Sequence, residues 1–325
     1  MKKLRGISSE LINKFKKTEL SQWLKNHKES FLIAIRDNGI GIYYNCDKVA
    51  MVKLNKKNEL ICSINDYYLS NYFKTKGIRK SGKEISCSPD EILKKLKEEK
   101  IQNNSDIRIT PEKKAQQRLV YENNKNQSSD WYCFDIEYRQ STLIQKEEPK
   151  FTGRFDILAI NKKNYEIAII EVKYGSKALG GESGIVKHLK DFITFNSSTS
   201  CKTNLKKEIP QILSNLNSLG CSVPSSLNKC FKDIPIGKIN YDFICLYDEE
   251  NTKGKVGAYL FNEKREKWET KRISTRNAMD DENLKIDVES GNCPIPVTFY
   301  FKKVISPLEI HINDILNKMQ YNEVL

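Results

Sequence analysis

Asp156, Glu171 and Lys173 are the residues of this 325-residue chain whose types and spacing suit chemistry. They stand within GRFDILAINKKNYEIAIIEVK, residues 153–173, where two apolar strand-like runs flank a polar turn. Side chains alternate along a strand, so Glu171 and Lys173 share a face and Val172 takes the other. Pairing of the two runs as a hairpin would set Asp156 beside them, bringing two carboxylates and an ammonium to one sheet edge. Hard oxygen donors of this kind suit Mg²⁺ or Mn²⁺, which keep several waters and take one or two carboxylates plus substrate phosphate. An ion held there would polarise a phosphodiester and supply a bound hydroxide. Lys173 would hold the attacking water and offset charge building on the pentacoordinate phosphorus. The competing structural account makes Asp156 a turn cap, and Glu171 with Lys173 a solvated cross-strand pair.

The residues around this trio set its context. Ile157, Ala159, Ile167 and Ile169, with Ala168 and Ile170, put apolar side chains on both faces of the two runs, as in central strands covered by helices. Ending such a strand with Glu and Lys is costly unless they serve one another or a ligand. Glu137, in the preceding run WYCFDIEYRQ, is either a further metal ligand, a partner for Lys173 or a solvated strand glutamate. Arg154 lies two residues before Asp156 and so on its face; its guanidinium would take a substrate phosphate bidentately or pair with Glu137.

Asp156 followed by Glu171-x-Lys173 at the end of an apolar strand resembles the PD-(D/E)xK nuclease superfamily, with Phe155-Asp156 in place of the leading Pro-Asp and Gly153-Arg154 before it. The resemblance covers about residues 110 to 195. It implies a restriction-endonuclease-like α/β fold, a mixed central sheet flanked by helices. It also implies metal-dependent hydrolysis of phosphodiesters leaving a 5′-phosphate, in DNA ahead of RNA. Asp156 and Glu171 would be the metal ligands, helped by the Val172 carbonyl, and Lys173 would orient the water. Nucleases of this type often add a helical glutamate, which points to Glu112 in the first turn of the helix opened by Thr110-Pro111, with Glu122 behind it. Acids also favour that turn through the helix dipole alone. The helix after the Glu-x-Lys strand often reaches the phosphate backbone, which makes Lys187 and His188 substrate contacts. His188 and Asp191, three apart, share a helix face. The alternative is a catalytically silent nucleic-acid-binding or scaffold module with the same fold.

Composition bears on the rest. Hydrophobic residues make up 38 % of the chain, enough for a packed core, and the formal net charge is +13. So basic a chain commonly meets a polyanion, nucleic acid first among them; a Lys-rich background composition is the other source of such charge. Nine cysteines without a CxxC pair, most in apolar runs such as those of Cys133 and Cys245, fit reduced thiols. His27, His188 and His311 are too dispersed for a histidine metal cluster. No apolar run approaches the ~20 residues that cross a bilayer, and the basic N-terminus lacks the apolar core of a signal peptide, so a cytoplasmic chain without membrane contact is expected.

Residues 1–104 read as a small α+β domain or extension of open role, and 105–325 as the nuclease-like domain, with a linker over Gln102 to Asp106. Helical spacing covers 10–26; strand-like runs follow, with turns at Asp37-Asn38-Gly39 and Asn55 to Asn58. Ser88-Pro89-Asp90-Glu91 opens a capped helix. A glycine-rich loop at 175–184 lacks a P-loop ending and suits a strand guide. A capped helix is expected after Ser306. Restriction, repair and phage-defence roles all fit, and double-strand cutting would favour a homodimer, with a partner protein as the alternative.

Overall fold

The computed structural model describes residues 5–65, 68, 84–98, 102, 110–140, 151–175, 178, 184–228, 235–248, 257–262, 267–272, 286–287, 295 and 297–308. The expected linker beyond residue 102, most of the glycine-rich loop and the expected C-terminal helix lie outside them. The chain is α/β and divides into two compact units, Met1–Gln117 with Lys207–Asp233, and Arg118–Lys206 with Ile234–Leu325. The boundary expected at 104 therefore falls inside the first unit.

In the first unit the helical run splits into α1 (Ser9–Lys16) and α2 (Glu19–Asn26). The break has a local cause. The Thr18 hydroxyl donates to the Phe15 carbonyl at 2.7 Å, closing α1, and accepts the Ser21 N–H at 3.1 Å, capping α2. Strands β1 (Phe31–Arg36), β2 (Gly39–Tyr44), β3 (Asp47–Leu54), β4 (Leu60–Asn65) and β5 (Glu84–Cys87) form an antiparallel meander in chain order. Asn38 and Asn58 take φ of 52° and 61° in its turns, a left-handed geometry that asparagine tolerates. On one sheet face Phe31, Ile35, Ile40, Ile42, Val52, Cys62 and Ile64 are fully or nearly fully buried. Helix α3 (Pro89–Lys97) starts in a reciprocal capping box between Ser88 and Glu91.

The second unit is built on a six-stranded mixed sheet. Helix α4 (Pro111–Lys125), whose start belongs to the first unit, leads into β6 (Trp131–Tyr138), β7 (Phe155–Asn161) and β8 (Ile167–Tyr174), three antiparallel neighbours. Then come α5 (Ile185–Ser197), α6 (Thr199–Ser218), which passes into the first unit at Lys207, and α7 (Ser225–Asn228) of the first unit, after which β9 (Ile239–Tyr247) pairs parallel to β8. A parallel return requires such a long crossover. Strands β10 (Gly257–Asn262) and β11 (Lys267–Arg272) form a separate hairpin; β12 (Ile286–Asp287) and β13 (Val297–Lys303) complete the sheet in the order β12-β13-β9-β8-β7-β6. The expected order of helix, three strands and helix is present.

Strand β8 is buried at every position, in keeping with its apolar residues on both faces. Helix α5 packs on the sheet through Phe192, whose ring lies 5.2 Å from both Tyr241 and Phe243, and through Phe195, set edge-on to Phe151 and Phe155. This packing positions the start of α5 beside the end of β8. No described helix is long and apolar enough to cross a membrane.

Candidate active site

The hairpin read from residues 153–173 forms, and its register arranges the carboxylates. Pairs Ile160↔Ile167 through Ile157↔Ile170 join β7 to β8, and Asp156 and Glu171 are the next residue on each strand. The paired ladder stops there. The Val172 N–H donates instead to the Asp156 carboxylate, at 2.9 Å. A side chain inserted at a ladder's end parts the two strands where the acids sit.

Strand β6 adds a third acid. Its pairs Ile136↔Ile157 and Tyr138↔Phe155 bracket Glu137, which therefore stands across from Asp156. A bulge between Cys133 and Asp135 and a φ of 50° at Glu137 distort the strand just before this point. Bulges and left-handed φ at a non-glycine residue re-aim side chains and are sustained only by surrounding contacts. Glu137, Asp156 and Glu171 thus stand at neighbouring positions of three adjacent strands.

Each acid has an observed contact. Glu171 is fully buried, and His188 Nδ1 of α5 lies 3.1 Å from its Oε2. The same nitrogen is 3.8 Å from Asp191 Oδ2. Burial pushes the Asp191 carboxyl above its ordinary range, with the Lys187 ammonium opposing. Asp191 also rests over Gly153, where a Cβ would lie 2.9 Å from its Cγ and 2.6 Å from the Phe151 ring. Glycine is required there by close approach. Arg154 Nη1 sits 2.7 Å from Glu137 Oε2, so of its two expected roles the ion pair is the one observed.

Lys173 is 3 % exposed and lies two residues past Glu171, across from Cys245 of β9. Lys187, half-exposed, pairs with Asp191 at 3.5 Å. Val172 contributes its N–H to Asp156, as above. Glu112 stands in the first turn of α4, within the first unit, and Glu122 is held by Arg118 at 2.7 Å. Of the residues singled out from sequence, the structure brings Asp156, Glu171, Val172, Glu137, Arg154 and His188 together around the ends of β6, β7 and β8.

One neighbour was missed. The Tyr174 hydroxyl donates to Asp248 at 2.5 Å, tying the residue after Lys173 to the end of β9; both are buried. The signal available was a tyrosine following Glu-x-Lys and an acid closing the apolar run YDFICLYD.

The donor set fits Mg²⁺ or Mn²⁺ in kind, being carboxylate oxygens beside backbone groups. Among the described residues, no group of three or more His, Cys, Asp or Glu side chains is arranged to hold a metal ion. Two carboxylates with waters and a carbonyl form a smaller set than that. No family model matches the chain, and neither a curated protein nor a solved structure matches it.

Proposed function

We propose that this chain is a metal-dependent nuclease of restriction-endonuclease-like fold, hydrolysing phosphodiester bonds in DNA ahead of RNA. The observation that carries the reading is the trio of neighbouring acids Glu137, Asp156 and Glu171, with buried Lys173 beside it, where the β7–β8 ladder ends. A buried ammonium and a fully buried carboxylate at one strand end are costly in a purely structural role and apt in a charged site. Asp156 and Glu171, with the Val172 carbonyl, would hold Mg²⁺ or Mn²⁺; Glu137 is the further candidate within the same unit. The ion would supply charge neutralisation and an acidified water. Lys173 would orient the attacking water and stabilise charge on the phosphorane. Arg154, 42 % exposed, would exchange its contact with Glu137 for a phosphate oxygen.

A second reading is favoured by one feature: the acids contact Val172, Arg154 and His188 rather than converging as a three-ligand group. A silent binding module of the same fold would look so. Cleavage of plasmid and single-stranded DNA with Mg²⁺ or Mn²⁺ separates the two. Metal-dependent cutting lost in Lys173→Ala, with binding kept, supports the nuclease; binding without cutting in the wild type supports the module.

A further inference from the structure

The two units carry very different charge. The first holds 28 Lys and Arg against 16 Asp and Glu, a net +12; the second holds 27 against 26, a net +1. A Lys-rich background would load both units alike, so it does not account for the difference. The excess that suits a polyanion lies in the unit without the carboxylate trio.

Within that unit an aromatic ladder reaches the surface at the end of α2. The exposed His27 ring stacks on Trp23 with centroids 3.9 Å apart and planes at 19°. Trp23 packs on Phe31 at 5.2 Å, and Phe31 on Tyr44 at 5.2 Å, which anchors the stack to β1 and β2. His27 Nδ1 lies 2.8 Å from the Trp23 carbonyl. A carbonyl only accepts, so this nitrogen carries the proton and the bond holds the imidazole flat on the indole.

Two lysines, Lys25 and Lys28, neighbour His27 in the chain, and both ammonium groups lie against residues 220–222. A Cβ on Gly220 would lie 3.6 Å from Lys25 Nζ, and Lys28 Nζ donates to Ser222 Oγ at 3.1 Å. Both sit near Cys221, whose thiol burial pushes up to about 11 while Lys28 and Lys25 oppose. The acid in this stretch is Glu29. An exposed ring on a unit of net +12 suits an unstacked base and its phosphates, whereas the bases of a duplex keep their faces covered.

We propose that the first unit is the nucleic-acid-binding part of the chain, and that the His27–Trp23 stack with Lys25 and Lys28 takes a base and the adjoining phosphates of a single strand. This rests on the nuclease reading for the choice of nucleic acid as the polyanion. It assigns binding and chemistry to different units.

The test is anisotropy of a fluorescein-labelled single-stranded oligonucleotide titrated with the full chain, without divalent metal, across a salt series. His27→Ala should weaken binding roughly ten-fold and leave the salt slope unchanged. Lys25→Gln/Lys28→Gln should flatten the slope of log K against log salt by about 1.4, near 0.7 per phosphate contact. Lys162→Gln/Lys163→Gln, an equal charge loss in the second unit, should leave both quantities as in the wild type. With Trp131→Phe/Trp268→Phe, unlabelled oligonucleotide should quench the remaining Trp23 emission. Wild-type affinity and slope in the His27 and Lys25/Lys28 variants, with melting temperatures matched, would overturn the proposal. So would unquenched Trp23, or duplex binding as tight as single-strand binding and indifferent to His27. Cleavage failing in the wild type while this pattern holds would remove the nuclease reading alone; cleavage intact while the variants bind normally would remove this one alone.

Discussion

Glu171 is fully buried, and a carboxylate there is tolerated only with charged or polar company, which His188 and the neighbouring strand ends provide. Lys173 shares that environment, so its loss removes a positive charge from the candidate reaction centre without opening the surface. Lys173→Ala is expected to lower metal-dependent cleavage about 10²–10³-fold, the usual cost of deleting one charge-stabilising donor, with oligonucleotide affinity close to wild type; single-turnover assays read it. Gly153 offers an independent check on the site's frame. Adding a methyl places it 2.6 Å from the Phe151 ring and 2.9 Å from Asp191 Cγ, too close for either to remain in place. Gly153→Ala should therefore destabilise the chain by about 1–3 kcal/mol in urea unfolding, and lower cleavage by moving Arg154 and α5. A normal urea midpoint would show that the segment adjusts freely.

Helix α5 supplies His188 only because its aromatic face is seated. Phe195 is fully buried against Phe151 and Phe155. Phe195→Ala should cost about 3–5 kcal/mol by calorimetry or urea midpoint. At α3 the signal is electrostatic. The Glu91 carboxylate accepts the Ser88 N–H at 2.6 Å while the Ser88 hydroxyl accepts the Glu91 N–H at 3.2 Å. The Ser88 N–H foremost, and the Ser88 side chain after it, hold the Glu91 carboxyl below its ordinary range. A carboxyl depressed in the folded state adds stability above its unfolded pKa of about 4.3, and that contribution fades as pH falls through the lower folded value. Urea midpoints of wild type and Glu91→Gln should thus differ at pH 7 and converge below about pH 4. A constant gap would mean that the charge plays no part. This capping box was legible in Ser88-Pro89-Asp90-Glu91, since a cap needs only four adjacent residues. The break between α1 and α2 was not, because apolar spacing runs through Thr18 unaltered while its hydroxyl closes one helix and opens the next.

Across the molecule, the described cysteines carry free thiols, five of them buried and Cys87 and Cys221 half-buried. Burial pushes Cys62 up to about 12, helped by Cys87 and Asp90. Ellman's reagent at pH 8 should accordingly leave the five buried thiols of the native chain largely unreacted and modify them quickly once it is denatured. Fast modification of all five in the native chain would show that these thiols are open to solvent. The division of charge, +12 against +1, lies mainly in residues 1–117, which carry +11 of it, and the packing of residues 207–233 into the first unit adds +1.

Local order could be read from the chain alone: the turns at Asn38 and Asn58, the cap at Ser88, and the hairpin that brings Asp156 and Glu171 to the end of one ladder. Each depends on neighbours within about twenty residues, where alternation and turn chemistry leave few registers. Other features arise from packing between distant segments. Glu137 enters the trio because a bulge shifts β6 by one residue against β7. His188 meets Glu171 because Phe192 and Phe195 seat α5 on the sheet. Asn215 and Glu208 of α6 take the N–H groups of Ile7 and Arg5 from the far end of the chain. Such contacts join residues whose separation in sequence carries no periodic signal, and they exist only once the apolar faces of several elements have been buried together.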